Sequence, residues 1–311
     1  MTAPSPFLSS AAAVCPDDLL TRAQEAATPR VAIARAGAPL PMQAAMEATN
    51  AGIMTPVLVG EAADIQREAD ALGWDISELA VHDTTGEAEA GARATELCGT
   101  GEADVLMKGQ LHTDVFMKSA LARDAGLRTG NRLVHIFHIS HPTGGRPMLI
   151  SDAAVNVSPN IETRHDATRE VVGLLHKLGN PEPRVAFLSA TESVIPSVPS
   201  SVEADELTTW ARENIQNAHF SGPLALDLIL SPDAVATKGL SDDPVAGRAD
   251  AIVVPDIVSG NAIFKSLVYL SGGCAAGIVM GANVPLLLTS RADPAAARMA
   301  SAALAAIVTS A

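Results

Sequence analysis

Residues 104–123, DVLMKGQLHTDVFMKSALAR, carry the reading that decides the fold. The first six form a short apolar run closed by Lys108 and Gly109, which is how a buried strand ends. A brief loop follows, and helix-forming residues resume from Thr113 to Arg123. The same strand–loop–helix unit recurs in both directions. Toward the N-terminus stand VAIARA (31–36), a helix over 41–50, PVLVG (56–60), a helix over 61–72 and the helical GEAEAGARATELC. Toward the C-terminus RLVHIFHIS reads as a longer strand. LISDAAV (149–155) then opens a second series, with helices over 162–178 and 202–217 and strands at VAFLSA, AIVVPD and CAAGIVMG. VIPSVPSS (194–201) is a loop by its turn chemistry. This alternation predicts an α/β protein with two doubly wound domains, their strands joined by right-handed crossovers.

Composition supports that class. With 311 residues the chain is long enough for two domains. Hydrophobic residues make up 48% and aromatics only 3%, so the core is built from Ala, Val, Ile and Leu. A net charge of −14 argues against nucleic acid or an anionic membrane as partner. An anionic small ligand would then depend on a few locally placed cations. Cys15, Cys98 and Cys274 lack C-x-x-C spacing and read as reduced thiols of a cytoplasmic protein. FLSSAAAVC near the N-terminus has no preceding Lys or Arg and is followed by Asp17 and Asp18, so it is not expected to be a signal peptide; no stretch reads as a membrane span.

In open α/β sheets ligands bind beyond the carboxyl ends of strands, so the residues closing each strand are the candidates. Read in order they include Lys108, Gly109, Gln110, His112 and Thr113, then Asp152 and Asn156, then Gly260 and Asn261, and finally Ser290 and Arg291. Gly109 would let backbone approach a ligand, and Thr113 is placed to cap the next helix. The last pair lies in VPLLLTSRADPAAAR (284–298), read as a buried strand, then Asp293 as N-cap, Pro294 at the first helical position and an alanine-rich helix. A hydroxyl and a guanidinium at a helix N-terminus suit a phosphate, although Arg291 pairing with a nearby carboxylate reads equally well locally.

Three further features are weaker. His135, His138 and His141 are spaced for a metal, but in a strand His138 faces away from the other two, so no metal site is expected. His112 lies in a loop, where a structural and a catalytic part are both open. Asp242-Asp243 reads as a solvated turn.

Five motifs taken together resemble the phosphate acetyltransferase/phosphate butyryltransferase family: ADVLMKGQLHTD (103–114), ISDAAVNVSP (150–159), GPLALDLILS (222–231), DPVAGRADAIVVPDIVSGN (243–261) and VPLLLTSRAD (284–293). They occur in the family's order from near Ala32 to the C-terminus, and the tail resembles the butyryl branch and the acyltransferase part of enoyl-CoA hydratase fusions. The resemblance implies reversible acyl transfer between coenzyme A and inorganic phosphate, with coenzyme A as a substrate and no permanently bound cofactor. It also implies a fold like that of isocitrate/isopropylmalate dehydrogenases, with an interdomain cleft and a homodimer or larger assembly. The first domain would comprise 1–148 plus 279–311 and the second 149–278. By motif, Ser290 and Arg291 match the pair at the reacting phosphate and thiol, and Lys118 sits near a phosphate-binding Arg of the acetyl branch. One position departs from the family: the acetyl branch carries an Asp, proposed as base for the thiol, where this chain has Ala297; Asp293, closer to the Ser-Arg pair, is open both as a substitute base and as the N-cap. Two rivals follow, a catalytically silent CoA- or phosphate-binding protein and a metal-dependent decarboxylating dehydrogenase.

Overall fold

The computed structural model describes residues 5–288 and 293–310, which divide into two compact units. One comprises 14–131 with 276–311 and is called the outer unit; the other, 132–275 with the first thirteen residues, is called the inner unit.

The outer unit opens with α1 (Asp17–Glu25). It continues as β1 (Arg30–Ala34), α2 (Pro39–Asn50), β2 (Thr55–Gly60), α3 (Ala62–Leu72), β3 (Ala80–Asp83), α4 (Gly86–Gly99), β4 (Val105–Lys108) and α5 (Thr113–Ala120). Strands β1 to β4 run parallel, each joined to the next by a helix. The chain returns to this unit with β10 (Cys274–Met280), β11 (Leu286–Leu287) and α11 (Ala295–Ser310). The strand order here is β3-β2-β1-β4-β11-β10. β11 is parallel to β4, while β10 is antiparallel to β11. That reversal follows from length: the few residues between β10 and β11 cannot make the crossover a parallel pair requires.

Burial explains the composition. Val31, Ile33, Leu58, Val105, Leu106 and Leu286 are all buried in these strands. Helix α11 buries Ala300, Ala303, Leu304, Ala306 and Ile307, and it packs on α1 and α2. Its many alanines allow close helix approach.

The inner unit contains β5 (Val134–Ser140), β6 (Met148–Ser151), α6 (Ile161–Lys177), β7 (Arg184–Leu188), α7 (Pro199–Asn214) and β8 (His219–Leu224). Two short helices follow, α8 (Leu226–Leu230) and α9 (Pro232–Thr237), then β9 (Ala251–Val253) and α10 (Ile257–Tyr269). Its strand order is β5-β6-β9-β7-β8, parallel except for the antiparallel β5–β6 pair, again across a short connection. Ile150, Ala186, Ile252 and Val254 lie in one core cluster with Leu228 and Val245.

Three local expectations are corrected. Helix α10 was not anticipated, so Gly260 and Asn261 do not close a strand; they lie in its first turns. Thr113 is the first residue of α5 rather than its cap, the N-cap being His112. The helix expected to start at Pro294 starts at Ala295, and the Asp293 carbonyl accepts a hydrogen bond from the Arg298 guanidinium.

Candidate active site

Strand register positions the outer-unit candidates. At the start of β4 the Asp104 carboxylate accepts from both the backbone N–H and the guanidinium of Arg30, at 2.8 Å each. That clip aligns Val31 with Val105 and carries the pairing up to Ala34 opposite Lys108. Beyond the strand, Gly109 N–H donates to the Ala34 carbonyl and Gln110 N–H to the Arg35 carbonyl, both at 2.9 Å. The missing side chain of Gly109 is explained here: a Cβ would lie 2.4 Å from the Ala34 oxygen and 2.5 Å from the Arg35 oxygen. Its smallness serves packing against the end of β1.

Arg35 and Glu87 organise this corner, and neither was singled out from sequence. Arg35 adopts φ 56°, a region that costs a side-chain-bearing residue energy. Its guanidinium donates to the Gln110 carbonyl at 3.3 Å and pairs with Glu87 at 3.2 Å and Glu61 at 3.5 Å. Glu87, in the first turn of α4, accepts from the His112 backbone N–H at 3.0 Å and faces the ring Nδ1 at 2.8 Å. Hydrogen bonds from the backbone and then the ring of His112 hold Glu87 below the usual carboxylate range, and Arg35 adds to the effect. Burial pushes Glu61 upward, but hydrogen bonds from its own and Gly86's backbone N–H, together with Arg35, leave it lowered overall. Lys118 is exposed in the last turn of α5, where a cation complements the helix dipole.

In the inner unit Asp152 follows β6 and is 4% exposed. Its carboxylate accepts from the backbone N–H of His135 (3.0 Å), Ala154 (2.9 Å), Val155 (2.9 Å) and Asn156 (3.3 Å). Asn156 Nδ2 donates to it at 2.7 Å and to the Leu133 carbonyl at 2.8 Å. A carboxylate offers about four lone-pair sites, so these donors fill it. Asp152 and Asn156 therefore fasten the loop after β6. Gly260 meets the same loop, since a Cβ there would lie 2.9 Å from Ala153 Cβ, and Asn261 Nδ2 reaches the Ala153 carbonyl at 3.4 Å. Asp256 caps α10 through Ser259 N–H at 2.9 Å. The four inner-unit candidates are thus gathered around one loop.

The three strand histidines do not gather. His135 and His138 are buried, while His141 is exposed and its Nδ1 lies 2.7 Å from the Thr143 hydroxyl. Asp243 accepts from Ser221 and from the backbone of Val245 and Ala246, closing a turn. Ser290 and Arg291 lie outside the described residues. The chain reaches them from β11, whose Leu287 pairs with Met107 just before Lys108, and resumes at Asp293, which is half-buried.

Residues 88–306 match the family model described as phosphate acetyl/butaryl transferase. The chain belongs to this family. It is 40% identical to a phosphate acetyltransferase of Rhizobium meliloti over 85% of this chain and 83% of that protein. It is 33% identical to a phosphate butyryltransferase of Clostridium acetobutylicum over 94% and 97% respectively. Among solved structures, a branched-chain phosphotransacylase from Enterococcus faecalis V583 superposes with a TM-score of 0.81 at 30% identity, over 91% of this chain and 99% of that one. A 4-hydroxythreonine-4-phosphate dehydrogenase from Burkholderia phymatum shares the fold, with a TM-score of 0.53 at 15% identity, over 91% and 98%. The dehydrogenase-like α/β fold expected from the motifs is therefore the fold of this chain. Family members of acetyl, butyryl and branched-chain name all resemble it, so family membership leaves the acyl chain open.

Proposed function

We propose that the chain moves a short acyl group between coenzyme A and inorganic phosphate by direct attack within a ternary complex, with no acyl-enzyme. Membership of the family makes the chain an acyltransferase of the phosphate acetyl/butyryl type, and acyl-CoA + phosphate = acyl phosphate + CoA is its reaction. The observation that carries the site assignment is the pairing of β11 with β4. It brings the strand leading to Ser290 and Arg291 alongside the strand ending in Lys108, with the Gly109–Thr113 loop beyond it.

In this reading Arg291 grips the phosphoryl oxygens through its planar fork, and Ser290 hydrogen-bonds the thiol or the developing oxyanion. Lys108 and Gln110 line the same corner, with Lys118 and Asp293 nearby in sequence, and Asp152, Asn156, Gly260 and Asn261 shape the inner-unit loop. Acyl phosphates are already activated, so positioning and charge stabilisation supply much of the acceleration. Burial pushes Cys98 up to about 12 and Cys15 to about 11, with acidic neighbours contributing, which argues against either as an acyl-carrying nucleophile. We further place the protein in the cytoplasm as a homodimer or larger assembly; no described helix is long and apolar enough to cross a membrane.

Thiol release from acetyl-, propionyl-, butyryl- and longer acyl-CoA, measured with and without phosphate, tests this. Phosphate-dependent release with at least one thioester is the expected result. CoA binding by calorimetry with no phosphate- or arsenate-dependent turnover would instead identify a silent binding protein.

A further inference from the structure

The transfer reaction requires a group that takes the proton from the CoA thiol, because a thiol with a pKa of about 8.5 is only a few per cent thiolate at neutral pH. The residue expected from the motif cannot do so: Ala297 has no ionisable atom and is buried in α11. We infer that His112, tethered through its Nδ1 to Glu87, is the general base for the thiol. This rests on the acyl-transfer reading and adds to it the identity of the base and of the residue that positions it.

The geometry is that of an oriented imidazole. His112 occupies the N-cap of α5, yet its ring makes no capping bond and turns instead to α4. Glu87 holds it at two points, the backbone N–H and the ring Nδ1, and is itself held by Arg35, which also anchors Gln110 two residues before His112. A carboxylate at Nδ1 selects the tautomer with the proton on that nitrogen, leaving the Nε2 lone pair to accept another. The His112 side chain is 78% exposed while Glu87 is 23% exposed, so the tether is sheltered and the working edge is open. Among the described residues Nε2 has no hydrogen-bond partner. Among the described residues the carboxylate at the ring is Glu87 on α4, which Arg35 after β1 pairs with; Arg35 also pairs with Glu61 before α3, and Asp114 follows in the first turn of α5.

In the direction of acyl-CoA formation, Nε2 accepts the thiol proton and the S–H pair becomes the thiolate lone pair. Sulfur bonds to the acyl carbon, the carbon–oxygen bond to phosphate breaks, and phosphate leaves with that electron pair. The imidazolium then releases its proton to solvent. In reverse, the imidazolium protonates the departing thiolate.

The test measures kcat with acyl phosphate and CoA from pH 5.5 to 9.5 for the wild type, His112→Gln and Glu87→Gln. For His112→Gln, kcat at pH 7 is expected to fall about 100- to 1000-fold. The rate should then climb with pH toward the thiol's own ionisation, so the deficit shrinks by about 25-fold, to about 4- to 40-fold, by pH 9. CoA affinity by calorimetry and the melting temperature stay as in the wild type. Glu87→Gln, which keeps a hydrogen-bond partner but loses the charge, is expected to lose about tenfold and to shift the acidic limb of the profile. A deficit for His112→Gln that is constant across pH, or no deficit at all, overturns the base assignment while leaving acyl transfer intact. A wild type inert toward every acyl-CoA removes both.

Discussion

Acidifying the protein from pH 7 to pH 5 is expected to remove about 2 kcal/mol of stability through one residue, His135. Its ring lies within β5, 3% exposed, with its centroid 4.2 Å from that of Phe137, and its Nδ1 has no hydrogen-bond partner among the described residues. Burial pushes the imidazole down to about 4, against the opposing attraction of the Asp152 charge. The unfolded chain titrates near 6.5, so between these values it binds a proton that the folded chain refuses. The neutral ring therefore folds without penalty above pH 6.5, and stability is lost as the pH falls toward 4. The full loss is about 3 kcal/mol, of which about 2 kcal/mol accrues between pH 7 and pH 5. Urea unfolding of the inner unit, followed by Trp210 fluorescence in a Trp74→Phe background, measures it. His135→Leu removes the titrating group, and the carboxylates other than its neighbour Asp152 cancel in the difference. The wild type should lose about 2 kcal/mol more than His135→Leu over that interval. Parallel losses in the two proteins would refute the assignment of a neutral, desolvated ring.

Three further outcomes follow from the same structure. Gly109→Ala forces a methyl against two backbone oxygens that cannot rotate away, so it should cost about 1–3 kcal/mol in thermal unfolding and displace the Lys108–Thr113 loop, with a larger fall in kcat than stability alone explains. Arg291→Ala, judged by kcat/KM for acyl phosphate, should lose about 2–4 kcal/mol of transition-state stabilisation, or about two orders of magnitude in rate; wild-type turnover would end its phosphate role. Treatment with N-ethylmaleimide at pH 7 should leave Cys98 unmodified by mass spectrometry, because burial keeps its thiol protonated, and modification at a free-thiol rate would contradict that burial.

The fold was legible where short apolar runs stand between turn residues, as in β1, β2 and β4, because a strand buried on both faces is written locally. It was illegible in β3, an exposed edge strand of sequence AVHD, and in α10, whose IVSGNAIFKSLVY shows no clean polar face and contains a glycine. Among the described residues of VPLLLTS only Leu286 and Leu287 form strand, since Pro285 has no N–H to donate and contributes only its carbonyl, to Leu106. At the site the same division holds. The Lys108–Thr113 loop could be picked out because it follows a readable strand. Arg35 and Glu87 could not, because their contacts with Gln110 and His112 span 75 and 25 residues and arise only from the order β2-β1-β4 and the placement of α4.

That division bears on which strand-end groups remain for a ligand. Gly109 and Gly260 are small so that backbone can pack on backbone, and Asp152 is saturated by donors of its own loop. Arg35 would be the obvious cation for an anion at the ends of β1 and β4, but Glu61 and Glu87 neutralise it on either side. In a chain of net charge −14, phosphate must then be held by cations not already neutralised by their own fold. The proposed function assigns phosphate to Arg291 on its motif, and it assigns proton transfer to His112 because a carboxylate orients its ring at Nδ1.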